Sequence, residues 1–165
     1  MNERISALLI YERLGAFGEV QLMLENRGIE IQIARSCGDA LLRLWSEQPP
    51  HLVFTETQLV DGIWADVLST TRKSRLPVNV IVVSRIADVN LYVQVLERGA
   101  FDCIIPPFEV FELDHVIRCA TDNVMAQRAR QEVGAVESTG VAPQRSMAQE
   151  EESLMDDDLQ AAPTL

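Results

Sequence analysis

The stretch HLVFTETQLVDG, residues 51–62, places a carboxylate at the end of an apolar run and directly before a turn. The run is apolar nearly throughout, which is typical of a strand buried on both faces of a sheet. A buried carboxylate without a partner is too costly to keep ionised. We therefore expect Glu56 to end its strand where the sheet opens to a cleft, outside the buried core.

Four other apolar runs resemble strands, and helical segments separate all five. These runs are ISALLI (5–10), EIQIA (30–34), VNVIVVS (78–84) and FDCII (101–105). Alternating strands and helices with short links predict an α/β fold, a doubly wound parallel sheet with helices on both faces. Working groups of such sheets lie at the carboxyl ends of the strands. The polar or unusual residues at those ends are Tyr11, Glu12, Glu56, Ser84 and Pro106.

Apolar residues repeated at helical spacing predict which face of each helix is buried. For the first helix the predicted face is Phe17, Val20 and Leu24, before a stop at Gly28. For the fourth helix it is Val89, Val93 and Leu96, before a stop at Gly99. The second helix is predicted to begin after Ser36 as N-cap, the third to run from about Trp64 to Arg75, and the fifth from about Glu109 to Gly134.

Composition narrows the function classes. The net charge of −11 argues against a nucleic-acid surface, which needs clustered Lys and Arg. No apolar run reaches the roughly 18 residues that cross a bilayer, so we expect no membrane segment. The three cysteines show no CxxC spacing, which favours a reduced, cytoplasmic setting.

The charge is concentrated toward the end of the chain. Residues 123–165 hold 8 acids and 3 bases and contain no aromatic residue. We therefore predict a folded domain over residues 1–134 and an acidic, largely disordered tail over residues 135–165. Two interpretations of the tail remain open: a solvating segment, or a docking peptide built on Leu154, Met155 and Leu159.

Several segments together resemble the receiver domain of two-component response regulators, over about residues 4–125. ERGAFDCIIPPF (97–108) resembles the family's x-x-G-A-x-D-Y-L-x-K-P-F segment, and PPHLVFTETQLVDG (49–62) resembles the segment with the phosphate-accepting aspartate. The resemblance implies a flavodoxin-like, five-stranded parallel sheet in the order 2-1-3-4-5.

The family's chemistry implies a role for each position at the strand ends. An aspartate accepts the phosphoryl group, two acids help it to hold Mg²⁺, and a lysine and a hydroxyl contact the phosphoryl oxygens. The resemblance places Glu56 at the phosphate-accepting position, Tyr11 and Glu12 at the acid pair, and Ser84 at the hydroxyl. It places Pro106 at the position of the family's lysine, and Cys103 at the position of the aromatic residue that acts as a switch.

These departures predict a degenerate pseudo-receiver. Without the lysine and one acid, phosphate and Mg²⁺ both lose charge-assisted contacts, so we expect no bound cofactor or metal, no useful phosphotransfer and no enzymatic activity. Two interpretations of Glu56 remain open: a permanent charge that mimics phosphorylation, or a tolerated polar residue at a strand end. His115, Cys119 and Asp122 share one helix face, but no second cluster completes a metal site.

The expected function is a stand-alone receiver-like protein in phosphorelay signal transduction that acts by protein contact. The expected partner is a histidine kinase or an output protein in trans, with neither nucleic acid nor membrane. The resemblance implies a partner face, for which the candidate residues are Leu91, Tyr92, Gln94, His115, Arg118 and Asp122. A homodimer contact on the last helix would use Val124 and Met125.

Two alternatives belong to other classes. One is a receiver that is still phosphorylated. The other is a small-ligand-binding module in a modified cleft, flanked by Tyr11 and Trp64.

Overall fold

A computed structural model describes residues 3–139, which form five parallel strands with helices on both faces. The strands of this sheet are β1 (Ser6–Ile10), β2 (Glu30–Ala34), β3 (Leu52–Glu56), β6 (Asn79–Val83) and β7 (Asp102–Ile104). Their order is β2-β1-β3-β6-β7, with parallel pairing throughout. The predicted doubly wound sheet is confirmed, and each strand lies within its predicted apolar run.

Five helices connect and cover these strands. Their bounds are α1 (Phe17–Asn26), α2 (Cys37–Leu44), α3 (Trp64–Thr71), α4 (Val89–Glu97) and α5 (Val110–Thr139). The Ser36 hydroxyl accepts a hydrogen bond from the Asp39 amide, as the predicted N-cap requires. Gly28 and Gly99 have φ values of 69° and 93° at the predicted helix stops, which a side chain would strain. The last helix continues past Gly134, the predicted end.

A short antiparallel hairpin follows β3 that the sequence pattern did not predict. Its strands are β4 (Gln58–Leu59) and β5 (Gly62–Ile63). Between them, the Asp61 carboxylate accepts hydrogen bonds from the amides of Cys37 and Gly38, at 2.7 and 2.9 Å. These amides open α2, so the hairpin caps the neighbouring helix and closes one side of the sheet's carboxyl edge.

The two faces of the sheet carry separate cores. Alternate residues of β1 point to opposite faces, as a pleated strand requires. Leu9 packs with α1 and α5 through Phe17 and Ile117, and Leu8 packs with α2, α3 and α4. The predicted α1 face of Phe17, Val20 and Leu24 is buried. Helices therefore cover both faces of the sheet, and the carboxyl ends of its strands are the place where a functional site is expected.

The predicted buried face of α4 was wrong. Val89, Val93 and Leu96 are exposed to solvent, and the helix packs through Val95, which is fully buried, and Leu91. Both sets are apolar and both have helical spacing, so the pattern alone did not select between them. Val124 of α5 is likewise buried against the sheet, so the predicted homodimer contact at that residue is also wrong.

Arg128 fixes the last helix to the opposite, amino-terminal edge of the sheet. Its buried guanidinium donates to the carbonyl oxygens of Pro49, Pro50 and Pro77 at 2.8–3.0 Å. The Glu3 carboxylate, 3.4 Å away, supplies a counter-charge. Buried carbonyls of turns need donors, and one guanidinium satisfies three of them here. This contact connects α5 to the turns before β3 and β6.

Candidate functional site

A cleft of about 770 Å³ opens at the carboxyl ends of β1, β3 and β6. Its floor and walls include Glu12, Glu56, Ser84, Arg85 and Trp64, together with Leu59 and Ile63 from the hairpin and Leu91 from α4. The sheet therefore brings three of the predicted positions, Glu12, Glu56 and Ser84, to one site. Tyr11 and Pro106 do not line it.

Glu56 enters the cleft from the last position of β3 and is largely buried there. Its Oε2 accepts a hydrogen bond from the Glu12 amide at 2.9 Å, and its Oε1 pairs with the Arg85 guanidinium at 2.5 Å. The expectation of an unburied carboxylate therefore needs correction. Glu56 is buried, and it remains a satisfied group because an amide and a cation each hold one of its oxygens.

Arg85 is the functional candidate that the sequence reasoning missed. It directly follows Ser84 in the loop between β6 and α4, and its side chain reaches back across the cleft to β3. A signal was available, since a base immediately follows the hydroxyl at a strand end. It was not predicted, because the receiver pattern carries its cation just after the fifth strand of the sheet, at the position of Pro106.

The Ser84 hydroxyl bonds within its own loop. It donates to the Ile86 carbonyl oxygen at 2.8 Å and accepts from the Ile86 amide at 3.2 Å. These bonds close a tight turn that leads to Asp88, the N-cap of α4. Ser84 therefore shapes the turn, and Arg85 connects this turn to Glu56.

Tyr11 points away from the cleft, which corrects the prediction that it flanks it. Its ring is buried in the α1–α5 core, 4.8 Å from the ring of Phe17, and the Arg35 guanidinium stacks over it at 4.7 Å. The position of one family acid is thus filled by an aromatic core residue. Glu12 is exposed and contributes its amide to Glu56.

The residues present do not fit a receiver's Mg²⁺ site. A hard divalent cation needs several oxygen ligands, but Tyr11 is packed in the core and Oε1 of Glu56 already pairs with Arg85. Pro106 follows β7 and carries no charge to hold a phosphoryl oxygen. Among residues 3–139, no group of three or more His, Cys, Asp and Glu side chains is placed to hold a metal ion.

The predicted switch position and partner face surround a second concavity, a groove of about 680 Å³ between α4 and α5. Tyr92, Cys103, Phe108, His115 and Arg118 are among its lining residues, whereas Leu91 lines the cleft instead. Gln94 and Asp122 are exposed on α4 and α5, but neither lines the groove. Burial, and then the charge of Asp102, raise the pKa of the Cys103 thiol to about 11, so this side chain is a neutral, apolar element of the groove.

Fold and site together define the class. The chain belongs to the response regulator receiver domain family, whose sequence model matches residues 14–118. It is thus a receiver domain of the kind found in two-component signal transduction. No helix within residues 3–139 is both long and apolar enough to span a membrane.

Two curated relatives are similar to it. The probable C4-dicarboxylate response regulator DctR of Bacillus subtilis is 30% identical over 84 residues, covering 51% of this chain and 37% of the relative. The regulatory protein AtoC of Escherichia coli is 31% identical over 96 residues, covering 57% of this chain and 20% of the relative. The similarity therefore spans well under half of each relative.

Solved structures share the fold. A CheY-like receiver domain protein from Methanospirillum hungatei is 22% identical with a TM-score of 0.65, and the match covers 75% of this chain and 98% of that one. The receiver domain of a putative Luxo repressor from Vibrio parahaemolyticus is 19% identical with a TM-score of 0.67, covering 82% and 98%. These matches support the sheet order.

Proposed function

We propose that this receiver domain works by protein–protein contact, independently of phosphorylation at Glu56 and of Mg²⁺. The observation that carries the proposal is the state of the Glu56 carboxylate, whose oxygens are held by the Arg85 guanidinium and the Glu12 amide. A carboxylate in a close ion pair is a weaker nucleophile than a free one, because attack would break the charge-assisted bond. Because Arg85 already pairs with Oε1 of Glu56, that oxygen is not free to bind a metal ion.

The position of Pro106 supports the same proposal. A phosphoryl group on Glu56 would bring about two negative charges into the cleft, and no lysine follows β7 to meet them. Arg85 could meet them only by leaving the carboxylate that it now neutralises. We therefore expect that the Glu56 carboxylate attacks a phosphoryl donor slowly and that the resulting acyl phosphate is unstable.

Intact mass measurement after incubation with acetyl phosphate and Mg²⁺ tests the proposal. We expect no species heavier by about 80 Da, the mass of one phosphoryl group. The matched control is the double variant Glu56→Asp and Pro106→Lys, which returns the nucleophile and the lysine of the family pattern. A stable acyl phosphate on the unaltered chain would overturn the proposal, whereas labelling of the double variant alone would support it.

The proposed contact surface is the α4–α5 groove. Its lining is mostly apolar, with the rings of Tyr92, Phe108 and Phe111 and the cation of Arg118 at the rim, and Phe111 is strongly exposed. Aromatic and arginine side chains dominate the energy of protein interfaces. A signalling protein, such as a histidine kinase or an output protein, is the proposed partner. Loss of binding to such a partner in Phe111→Ala, with Leu42→Ala on α2 as a control, is the expected result.

The cleft favours a second candidate function, the binding of a small ligand. Its volume lies within the range of known ligand sites, and it combines the apolar surfaces of Trp64 and Leu59 with the charges of Glu12 and Arg13. A rise in the melting temperature with members of a ligand library would support this candidate, provided that Trp64→Ala abolishes the rise.

A further inference from the structure

The loop between α3 and β6, at the amino-terminal edge of the sheet, is strongly basic. Residues 72–75, here named the basic loop, are the only four consecutive residues of the sequence that include three bases. Arg72, Lys73 and Arg75 are exposed, and none of them forms an ion pair with an acid among residues 3–139. In a chain with a net charge of −11, three such bases attract an acidic segment.

An exposed aromatic residue follows the helix end that contacts the basic loop. The Ser74 hydroxyl donates to the carbonyl oxygen of Leu44, the last residue of α2, at 2.9 Å. Trp45 follows directly and is 50% exposed. An indole ring offers a large apolar area for another segment to cover. The basic loop and the turn after α2 (residues 45–48) thus carry three bases, one exposed ring and a single acid, Glu47.

Helix α5 carries the rest of the chain away from the same place. The side-chain amide of Gln131 donates to the carbonyl oxygen of Arg75 at 3.1 Å. The helix then continues for eight residues to Thr139, a distance of about 12 Å. The next ten residues, 140–149, span up to about 33 Å when extended. Whatever follows residue 149 is therefore within reach of the basic loop.

The segment that follows has the complementary chemistry. Residues 150–159, EEESLMDDDL, lie outside the described residues and are here named the acidic segment. They contain two blocks of three acids, separated by a serine and the apolar residues Leu154 and Met155. Two acidic blocks around an apolar pair match a surface on which bases lie close to an exposed ring.

We propose that the acidic segment binds the basic loop of its own chain and covers Trp45. Its carboxylates pair with Arg72, Lys73 and Arg75, and its apolar pair packs on the indole ring. The contact lies at the edge of the sheet opposite the cleft. It is therefore independent of the proposed function and of whether Glu56 accepts phosphate.

The covalent connection makes such a contact effective although each ion pair is weak. An exposed ion pair contributes little by itself, so the contact depends on several pairs and on the ring. A short linker gives the acidic segment an effective concentration on the order of 1 mM at the basic loop. A segment that binds as a free peptide with a Kd of about 0.1 mM would then be bound in about nine chains out of ten.

Quenching of tryptophan fluorescence by acrylamide in the full chain tests the proposal. Trp64 is only 5% exposed, so quenching reports mainly on Trp45, and Trp45→Phe measures the remaining background. We expect replacement of the six acids of the acidic segment by Gln and Asn to raise the quenching constant at least about twofold, because Trp45 is then uncovered in most chains. Salt at about 0.5 M is expected to do the same in the unaltered chain, since it screens exposed charges.

Reversal of charge on the basic loop tests where the acidic segment binds. Lys73→Glu with Arg75→Glu is expected to raise the quenching constant as the neutralised segment does. Neither side chain donates a hydrogen bond within residues 3–139, so the fold keeps its described contacts in this variant. Arg13→Glu with Arg118→Glu reverses two exposed bases at the cleft and at the α4–α5 groove, and is the matched control expected to change nothing.

A charge exchange distinguishes a direct contact from a general effect of charge. Adding Asp156→Lys, Asp157→Lys and Asp158→Lys to the reversed basic loop restores opposite charges, and we expect it to restore the protection of Trp45. An exchanged chain that stays unprotected would overturn the proposal.

Three other results would overturn it as well. One is a quenching constant that does not change when the acidic segment is neutralised. Another is an equal rise in the control with reversed bases at the cleft and groove. The last is protection that increases with protein concentration between about 1 μM and about 100 μM, which would show that the acidic segment binds a second copy of the chain.

Discussion

Removing the cation of Arg85 is expected to loosen the loop that joins β6 to α4. This loop, residues 84–88, approaches β3 through the bond between Arg85 and Glu56. In Arg85→Gln, the carboxylate keeps the Glu12 amide as a partner but loses its counter-charge. A largely buried carboxylate then gains by opening to water, and opening requires the loop to move away from the cleft.

The exposed fractions of the two side chains determine how much free energy the ion pair between Arg85 and Glu56 contributes. The Glu56 side chain is 10% exposed and the Arg85 side chain 62%, so one charge is desolvated and the other is screened by solvent. An exposed ion pair is worth up to about 1 kcal/mol. Taking about 1 kcal/mol for this half-exposed pair, the equilibrium for local opening of the loop shifts about fivefold.

Amide hydrogen exchange over residues 84–92 measures that shift directly. The amides of Ile86 and Asp88 are the reporters, because they bond to the Ser84 hydroxyl and to the Ile86 carbonyl oxygen within the loop. We expect their exchange in Arg85→Gln to be about fivefold faster than in the unaltered chain. Amides of β1 and β3, which exchange through global unfolding, are expected to change little.

Two variants make this prediction specific. Arg85→Lys keeps the charge and is expected to preserve most of the protection, whereas Arg13→Gln removes a cation that lines the same cleft and is expected to have no effect on the loop. Unchanged exchange at Ile86 and Asp88 in Arg85→Gln would refute the reasoning. Equal loosening in Arg13→Gln would refute it as well, since the effect would then be one of general charge.

Two further predictions concern the opposite edge of the sheet. Arg128→Ala leaves the buried carbonyls of Pro49, Pro50 and Pro77 without their donor. We expect this variant to lower the free energy of unfolding, measured by urea denaturation, by about 3 kcal/mol. A loss under about 0.5 kcal/mol would contradict this expectation. For His51, burial and then the charge of Arg128 lower the pKa in the folded state. The unfolded chain therefore binds the proton more tightly than the folded chain does. The contribution of His51 to the free energy of unfolding is complete above the unfolded pKa of about 6.5 and falls as the pH drops below it. We expect His51→Gln to reduce this slope between about pH 7 and pH 5, and an unchanged slope in the variant would assign it to other groups.

The sequence determined the sheet and the positions of its functional edge. Runs such as VNVIVVS and HLVFTE admit little except buried parallel strands, because nearly every residue in them is apolar, and short links leave few topologies. The carboxyl ends of parallel strands meet at one edge, and for this reason Glu56 and Ser84 were placed at one site from the sequence alone.

Only the tertiary structure decided how side chains at that edge are turned and which residues meet. Tyr11 follows its strand as the family's acids do, yet it packs in the core because an aromatic ring gains more by burial than by lining a polar cleft. The bond between Arg85 and Glu56 joins the loop after β6 to the end of β3, and no periodicity in the sequence encodes it. Helix α4 has two apolar sides of similar strength, and the sheet selected Val95 over Val93 because local spacing cannot show which side a core will cover.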